Sequence, residues 1–128
     1  MEDSGRMDIG NVRIADEVVA IIAGLAATEV EGVAGMSGGL AGGIAELLGK
    51  RNLSKGVKVE VGDREAAVDL FLVVNYGVSI PEVALNVQRN VSRAISSMTG
   101  LNVVEVNVHI QGVHFHVEEK PEEPARVR

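Results

Sequence analysis

The chain has no cysteine and no tryptophan, and only two phenylalanines, one tyrosine and three prolines among its 128 residues. Without cysteine there is no disulfide framework, no thiolate nucleophile and no cysteine metal cluster, a composition that suits a reducing cytoplasm. With so few aromatics, the 46% hydrophobic content must build an aliphatic, valine-rich core. Long apolar runs are also missing. None approaches the roughly 20 residues that cross a bilayer, so no direct transmembrane segment is expected. The opening MEDSGRMDIG is acidic and polar where a secretory signal is basic and then apolar, which leaves any membrane association indirect or interfacial. Positive charge is in deficit as well, with a net charge of −6. Residues 1–9 carry three acids against Arg6, residues 118–128 carry four against three bases, and residues 10–117 carry eleven against eight. Nucleic-acid binding, which depends on a positive surface that releases counterions from phosphates, is not expected. The closing EEKPEEPARVR is charged and proline-bearing and reads as disordered, residues 1–9 read as flexible, and 10–117 reads as a single domain.

What the chain does have is a fold-forming block over residues 78–112. Ser79 and Glu82 stand three apart as a capping box, with Pro81 in the first turn, where its missing N–H costs nothing. Ile80, Val83, Ala84, Val87, Val91, Ala94, Ile95 and Met98 recur at helical spacing, and Gln88, Arg89, Ser92, Arg93 and Ser96 take the other side. Gly100 stands where a left-handed cap ends a helix. Beyond it, Val104, Val106, Val108 and Ile110 alternate with Glu105, Asn107, His109 and Gln111, the pattern of a strand with one buried and one wet face. After Gly112 the apolar set changes phase to Val113, Phe115 and Val117, so Gly112 marks a bulge or a strand end that re-aims the histidines.

Upstream, residues 10–14 look like a short strand, and Asp16 and Glu17 place negative charge in the first turn of a helix that runs to about Glu31 and ends at Gly32. Val18, Ile21, Ile22 and Leu25 form its bulky stripe, and Ala20, Gly24 and Thr28 form a small-residue ridge suited to close packing on the second helix or on another subunit. Residues 33–36 suit a short strand. Val57, Val59 and Val61 alternate with Lys58 and Glu60, residues 62–65 turn the chain, and Val68, Leu70, Leu72, Val74 and Tyr76 form the inward face of a return strand. Phe71 and Val73 on its other face suggest a strand covered twice or a surface for a partner. The pattern predicts an α+β fold: a small mixed or antiparallel sheet with two main helices packed on one face, in the order β-α-β-(short α)-β-β-α-β.

The chemistry-bearing patterns are weak. SGGLAGG at 37–43 invites a phosphate-loop reading, but Ile44 stands where a Walker loop needs glycine and Arg51 follows Gly49-Lys50 in place of Ser or Thr. Gly39 and Gly42 fit a GxxG loop of RNA-binding type, yet Leu40 and Ala41 between them offer a phosphate nothing. Both readings yield to a connector. Leu40, Ile44, Leu47 and Leu48 make a short apolar stripe followed by Lys50, Arg51 and Lys55, and this is the candidate interaction surface, suited to an acidic partner or an anionic lipid surface. The competing reading is a short helix over a sheet edge with solvated cations beyond it. His114 and His116 share a strand face, but a metal site wants a third ligand and none is evident. Asp63, Glu65 and Asp69 read as solvated, which leaves acid–base catalysis unsupported; no catalytic residue, metal or cofactor is expected.

The blocks GNVRIADEVVAIIAGLAATEVEGVAGM, LSKGVKVEVG, AAVDLFLVVNYGVSIPEVALNVQRNVSRAISSMTG and LNVVEVNVHIQGV resemble the alkaline shock protein family, the envelope stress response proteins of Gram-positive bacteria. The resemblance covers nearly all of 10–117 and rests on fold-forming positions. Ala15 departs from it, since a serine or threonine is expected to cap the first helix. The resemblance implies a cytoplasmic, non-enzymatic scaffold or adaptor that collects near the membrane, in some members through a membrane-anchored relative. It also implies an alternative, a regulator that binds the fatty-acid synthesis enzyme acetyl-CoA carboxylase. A ligand- or RNA-binding module built on the glycine-rich insert is the third reading. Exposed strand edges add self-association to the expectations.

Overall fold

The computed structural model describes residues 9–38 and 55–115. The organising element is β3 (Glu65–Asn75), whose alternate residues Ala66, Val68, Leu70, Leu72 and Val74 are buried. β2 (Val57–Val61) pairs antiparallel with its first half, from Val57 opposite Leu70 to Val61 opposite Ala66. β1 (Val33–Met36) pairs antiparallel with its second half, from Val33 opposite Val74 to Met36 opposite Leu72. The two therefore run end to end along one edge of β3. Between them, the Phe71 carbonyl accepts from the Ser37 N–H at 2.7 Å and the Phe71 N–H donates to the Gly56 carbonyl at 2.8 Å. β4 (Asn102–His114) lies parallel to the other edge of β3 along its whole length. The sheet is mixed, as its sequence suggests, with one edge made of two collinear pieces.

Both helices pack on one face of this sheet, α1 (Asp16–Thr28) over β1 and β2 and α2 (Ile80–Thr99) over β4. The core they enclose is wholly aliphatic, with Val83, Val87, Val91 and Ile95 of α2 and Val19, Ile22, Ala23, Ala26 and Ala27 of α1 against β3. Burying this much aliphatic surface, at about 25 cal/mol per Å², is the main favourable contribution to folding. Asn90 joins the helices, donating from Nδ2 at 2.7 Å to the Ala26 carbonyl, which also accepts from the Glu29 N–H in the last turn of α1. The α2 stop is as read: Gly100 is left-handed at φ 78°, and its N–H reaches the Ser96 carbonyl.

Several expectations are corrected. Residues 10–14 form no strand: Val12 is 90% exposed and only Ile14 touches the core, too little apolar surface to hold a strand to the sheet. α1 ends at Thr28, with Glu29 as its cap, and not near Glu31. Its buried face joins Val19 and Ile22 to the small residues Ala20, Ala23, Gly24, Ala26 and Ala27, and Thr28 of the expected ridge is exposed. Val18 and Leu25 of the expected bulky stripe stay about half exposed, because Ala20, Ala23, Gly24 and Ala27 allow a closer approach to the sheet and to α2. Ser79 makes no side-chain cap bond, so the capping box with Glu82 does not form, and Ala15 likewise leaves the start of α1 uncapped. Ile80 and Met98 at the ends of α2 project past the core, and Tyr76 lies beyond the end of β3 and is exposed. Val104 is 52% exposed because β4 carries an extra residue there, Val103 lying opposite Ala66 and Glu105 opposite Ala67. The expected short helix, residues 40–48, lies outside the described residues.

Candidate functional site: the uncovered sheet face

The residues of β3 that alternate with its core positions, Ala67, Asp69, Phe71 and Val73, point to the face opposite the helices, and all four are only half-buried. Pairing brings their neighbours alongside. Lys58 and Asn107 flank Asp69, His109 lies beside Phe71, and Gly35 and Gly112 flank Val73. The Asp69 carboxylate accepts from Asn107 Nδ2 at 3.0 Å and lies 3.3 Å from His109 Nε2. The His109 ring in turn stacks on Phe71, with centroids 4.5 Å apart and planes 11° from parallel. Lys58 Nζ stands 5.6 Å from the Phe71 ring centre on the β2 side. A side-chain row thus crosses three strands, and Phe71 has protein neighbours on both flanks. That arrangement does not offer the free ring face on which a nucleobase stacks.

The bulge at Gly112 is present as read from the change of phase: the register steps from Ile110 opposite Leu72 to Gly112 opposite Val73. Gln111 is the extra residue, and Ser37 Oγ donates to its Oε1 at 3.2 Å. A side-chain bridge therefore spans the uncovered face from β4 to the end of β1. A second stack, Tyr76 on Phe115 at 5.1 Å, closes the end of the β3–β4 pair.

Asp69 has a perturbed acidity: the Asn107 hydrogen bond, then that of His109, hold its carboxyl below the ordinary aspartate range, with the charges of His109 and Lys58 helping and partial desolvation opposing. A pKa lowered by folding contributes stability that is present above the unfolded-state value and is lost as pH falls through the folded-state value. An NMR titration is accordingly expected to place the Asp69 midpoint below that of a model aspartate, and Asn107→Ala to move it upward. A midpoint at or above the model value would contradict the hydrogen-bonded geometry.

Of the interaction surface expected from sequence, Leu40, Ile44, Leu47, Leu48, Lys50 and Arg51 lie outside the described residues. Lys55 is described and exposed, and its Cε would stand 3.0 Å from a Cβ built on Gly38, so it marks the point where the two ends of the insert meet. His114 ends β4 opposite Asn75, and His116 is outside the described residues. Asp63 and Glu65 are exposed at the β2–β3 turn. Among the described residues, no polar side chain is fully buried and no three His, Asp or Glu side chains are grouped to hold a metal. An open cleft of about 680 Å³ beside the start of α1 is lined by Arg13 and Arg64 but equally by Asp16 and Asp63, so it favours neither sign of charge. The Phe71–His109–Asp69 cluster was only half visible in the sequence: alternation turned Asp69 and His109 outward and put Phe71 on the second face of its strand, but only the parallel register of β4 brings them together.

The fold and face are those of a small α+β module with two helices on one side of its sheet and, on the other, an aromatic–polar row that no described helix covers. The alkaline shock protein 23 family, described by a cell envelope-related function, matches residues 4–115, and the chain belongs to this family. Among its relatives, YqhY of Bacillus subtilis (strain 168) is 49% identical over 84% of this chain and 79% of its own length, and YloU of the same strain 38% identical over 84% and 92%. A stress response regulator gls24 homolog of Streptococcus pyogenes is 34% identical over 79% of this chain, which spans 57% of that protein. The solved structure MamM-CTD H285A aligns with 75% of this chain and 95% of its own at TM-score 0.46 and 14% identity, too remote a likeness to carry an argument. The family places the protein in a cell-envelope and stress-related setting. No helix among the described residues is long and apolar enough to cross a membrane.

Proposed function

We propose that the protein is a non-enzymatic scaffold or adaptor of the envelope stress response, held in the cytoplasm near the membrane by a protein partner that it binds on the uncovered sheet face. The observation that carries this reading is Phe71, an aromatic side chain half-buried on a sheet face that no described helix covers. The apolar Val73 lies beside it between two glycines, Gly35 and Gly112, which leaves backbone accessible to an approaching surface. A family described by the cell envelope and a relative named as a stress response regulator support the setting.

The test is affinity purification of the tagged protein and of its Phe71→Ala variant from native cells, with membrane and soluble fractions analysed separately by mass spectrometry. Recovery of a membrane-anchored relative with the parent protein, reduced about tenfold in the variant, is the expected result for a hot-spot aromatic. Recovery of acetyl-CoA carboxylase subunits in the soluble fraction would replace the envelope scaffold by the metabolic regulator. An unchanged set of partners in the variant would remove the sheet face from the reading.

A further inference from the structure

Among the described residues β4 is the outer strand of the sheet, thirteen residues long, and contains no Lys, Arg or Pro, the residues that most often blunt a free edge. The opposite edge is short, broken at Phe71 and carries Lys58 and Glu60. Asn102 donates its N–H to Arg64, and the His114 carbonyl accepts from Tyr76, so these two residues face β3. Counting through the two bulges, Glu105, Asn107 and His109 also turn their backbone groups to β3, and Val106 and Val108 turn theirs outward. Gln88 of α2 confirms the phase, since its Nε2 donates to the Val106 carbonyl at 3.0 Å.

We infer that this edge is where a second copy of the chain binds, with two β4 strands antiparallel about Asn107 in one continuous sheet. This takes up the self-association expected from the exposed strand edges and names the edge, separately from the partner proposed for the Phe71 face. The run Val104-Glu105-Val106-Asn107-Val108-His109-Ile110 is self-complementary about its centre. Antiparallel pairing there sets Glu105 opposite His109 of the partner subunit, Asn107 opposite Asn107 of the partner subunit, and Val106 opposite Val108 of the partner subunit. It also gives the half-exposed Val104 an apolar neighbour, Ile110 of the partner subunit. No like charges meet, and like-charge meetings are what disfavour a wrong register. The helix above agrees. Asn90 marks the flank of α2 that meets α1, and Gln88 marks the flank toward the β4 edge. Along the Gln88 flank stand Pro81, Ala84, Leu85 and Ser92, all uncharged, whereas Glu82, Arg89 and Arg93 lie elsewhere on the helix. Two copies joined through β4 bring these uncharged flanks together. Gln88 covers one outward carbonyl in the free protomer and swings aside when the partner strand supplies its N–H.

Light scattering of the full chain should give the mass of two chains, against 13.5 kDa for one. Val108→Pro, which removes an outward N–H that β3 does not use, and Glu105→Lys, which sets a lysine opposite His109 of the partner subunit, should each raise the dissociation constant about tenfold or more. The register has its own readout, because the chain has no cysteine. With Asn107→Cys the two thiols meet on the dyad, where Cα atoms about 4.5 Å apart suit a disulfide, and an oxidised dimer should form on a non-reducing gel. With Glu105→Cys the thiols lie four residues apart along the strand, about 13 Å, and should not bridge. A monomer at every concentration, a dimer mass untouched by both Val108→Pro and Glu105→Lys, or bridging through position 105 in place of 107 would each overturn the inference. Because Phe71→Ala reads the partner face and these variants read the β4 edge, either reading can fail alone.

Discussion

Replacing Gly32 by alanine is expected to destabilise the domain by about 3 kcal/mol or more, through two costs that add. Gly32 sits in the turn from α1 into β1 at φ 101°, a conformation that costs a side-chain-bearing residue about 1–3 kcal/mol. A Cβ there would also stand 2.7 Å from Val83 Cγ2, and Val83 is the first buried residue of α2, so the overlap forces a further cost of about 1–3 kcal/mol on a filled core. Gly77 serves as the control. Its φ is 98°, but nothing lies within 4 Å of a Cβ built on it, so Gly77→Ala should show the backbone cost alone, about 1–3 kcal/mol, without the added overlap. Denaturant melts of both variants measure the difference; equal losses would show that Val83 yields and that the α1–β1 turn is not held against α2.

Leu70→Ala should cost about 2–5 kcal/mol, the range for emptying a leucine site in a filled core. Leu70 is fully buried at the middle of β3, paired to Val57 on one side and Val108 on the other, with both helices above it. The surrounding strands cannot collapse into the void without breaking those pairs. Leu25→Ala on α1 is the informative comparison. The bulky stripe read from sequence puts Leu25 in the core, whereas the structure leaves it 48% exposed, so its loss should stay under about 1 kcal/mol. Comparable losses at the two positions would mean that α1 is rotated the other way.

That contrast shows where sequence reasoning worked and where it stopped. α2 was legible because its polar and apolar sides separate cleanly, and Val83, Val87, Val91 and Ile95 are buried as the spacing implies. β3 was legible for the same reason at period two, down to Phe71 and Val73 on its far face. α1 is apolar almost all round, so periodicity does not fix its rotation, and the choice fell to packing distance, which favours alanine and glycine over valine and leucine against α2. The bulge at Gly112 left a mark in the sequence through the shift to Val113 and Phe115; the one near Val104 left none, because valines on both sides of it preserve the alternation. Residues 10–14 carry a strand-like local pattern, but pairing is a tertiary property, and only Ile14 reaches the core. The candidate site was legible as separate residues. Joining Asp69, Phe71, Asn107 and His109 required knowing that β4 runs parallel to β3, and a crossover of this length is compatible with several registers.

The backbone of Phe71 holds both ends of a chain excursion, the N–H of Ser37 on its carbonyl and the carbonyl of Gly56 on its N–H. An edge strand cut in two and riveted at a single residue makes the domain a chassis with a mounting point. Closing the chain between the two rivets costs about 0.6 kcal/mol more for each doubling of its length, while the two bonds keep the register of the sheet on either side pinned. Members of such a family can then diverge in what they display at that mount and still share one scaffold beneath it.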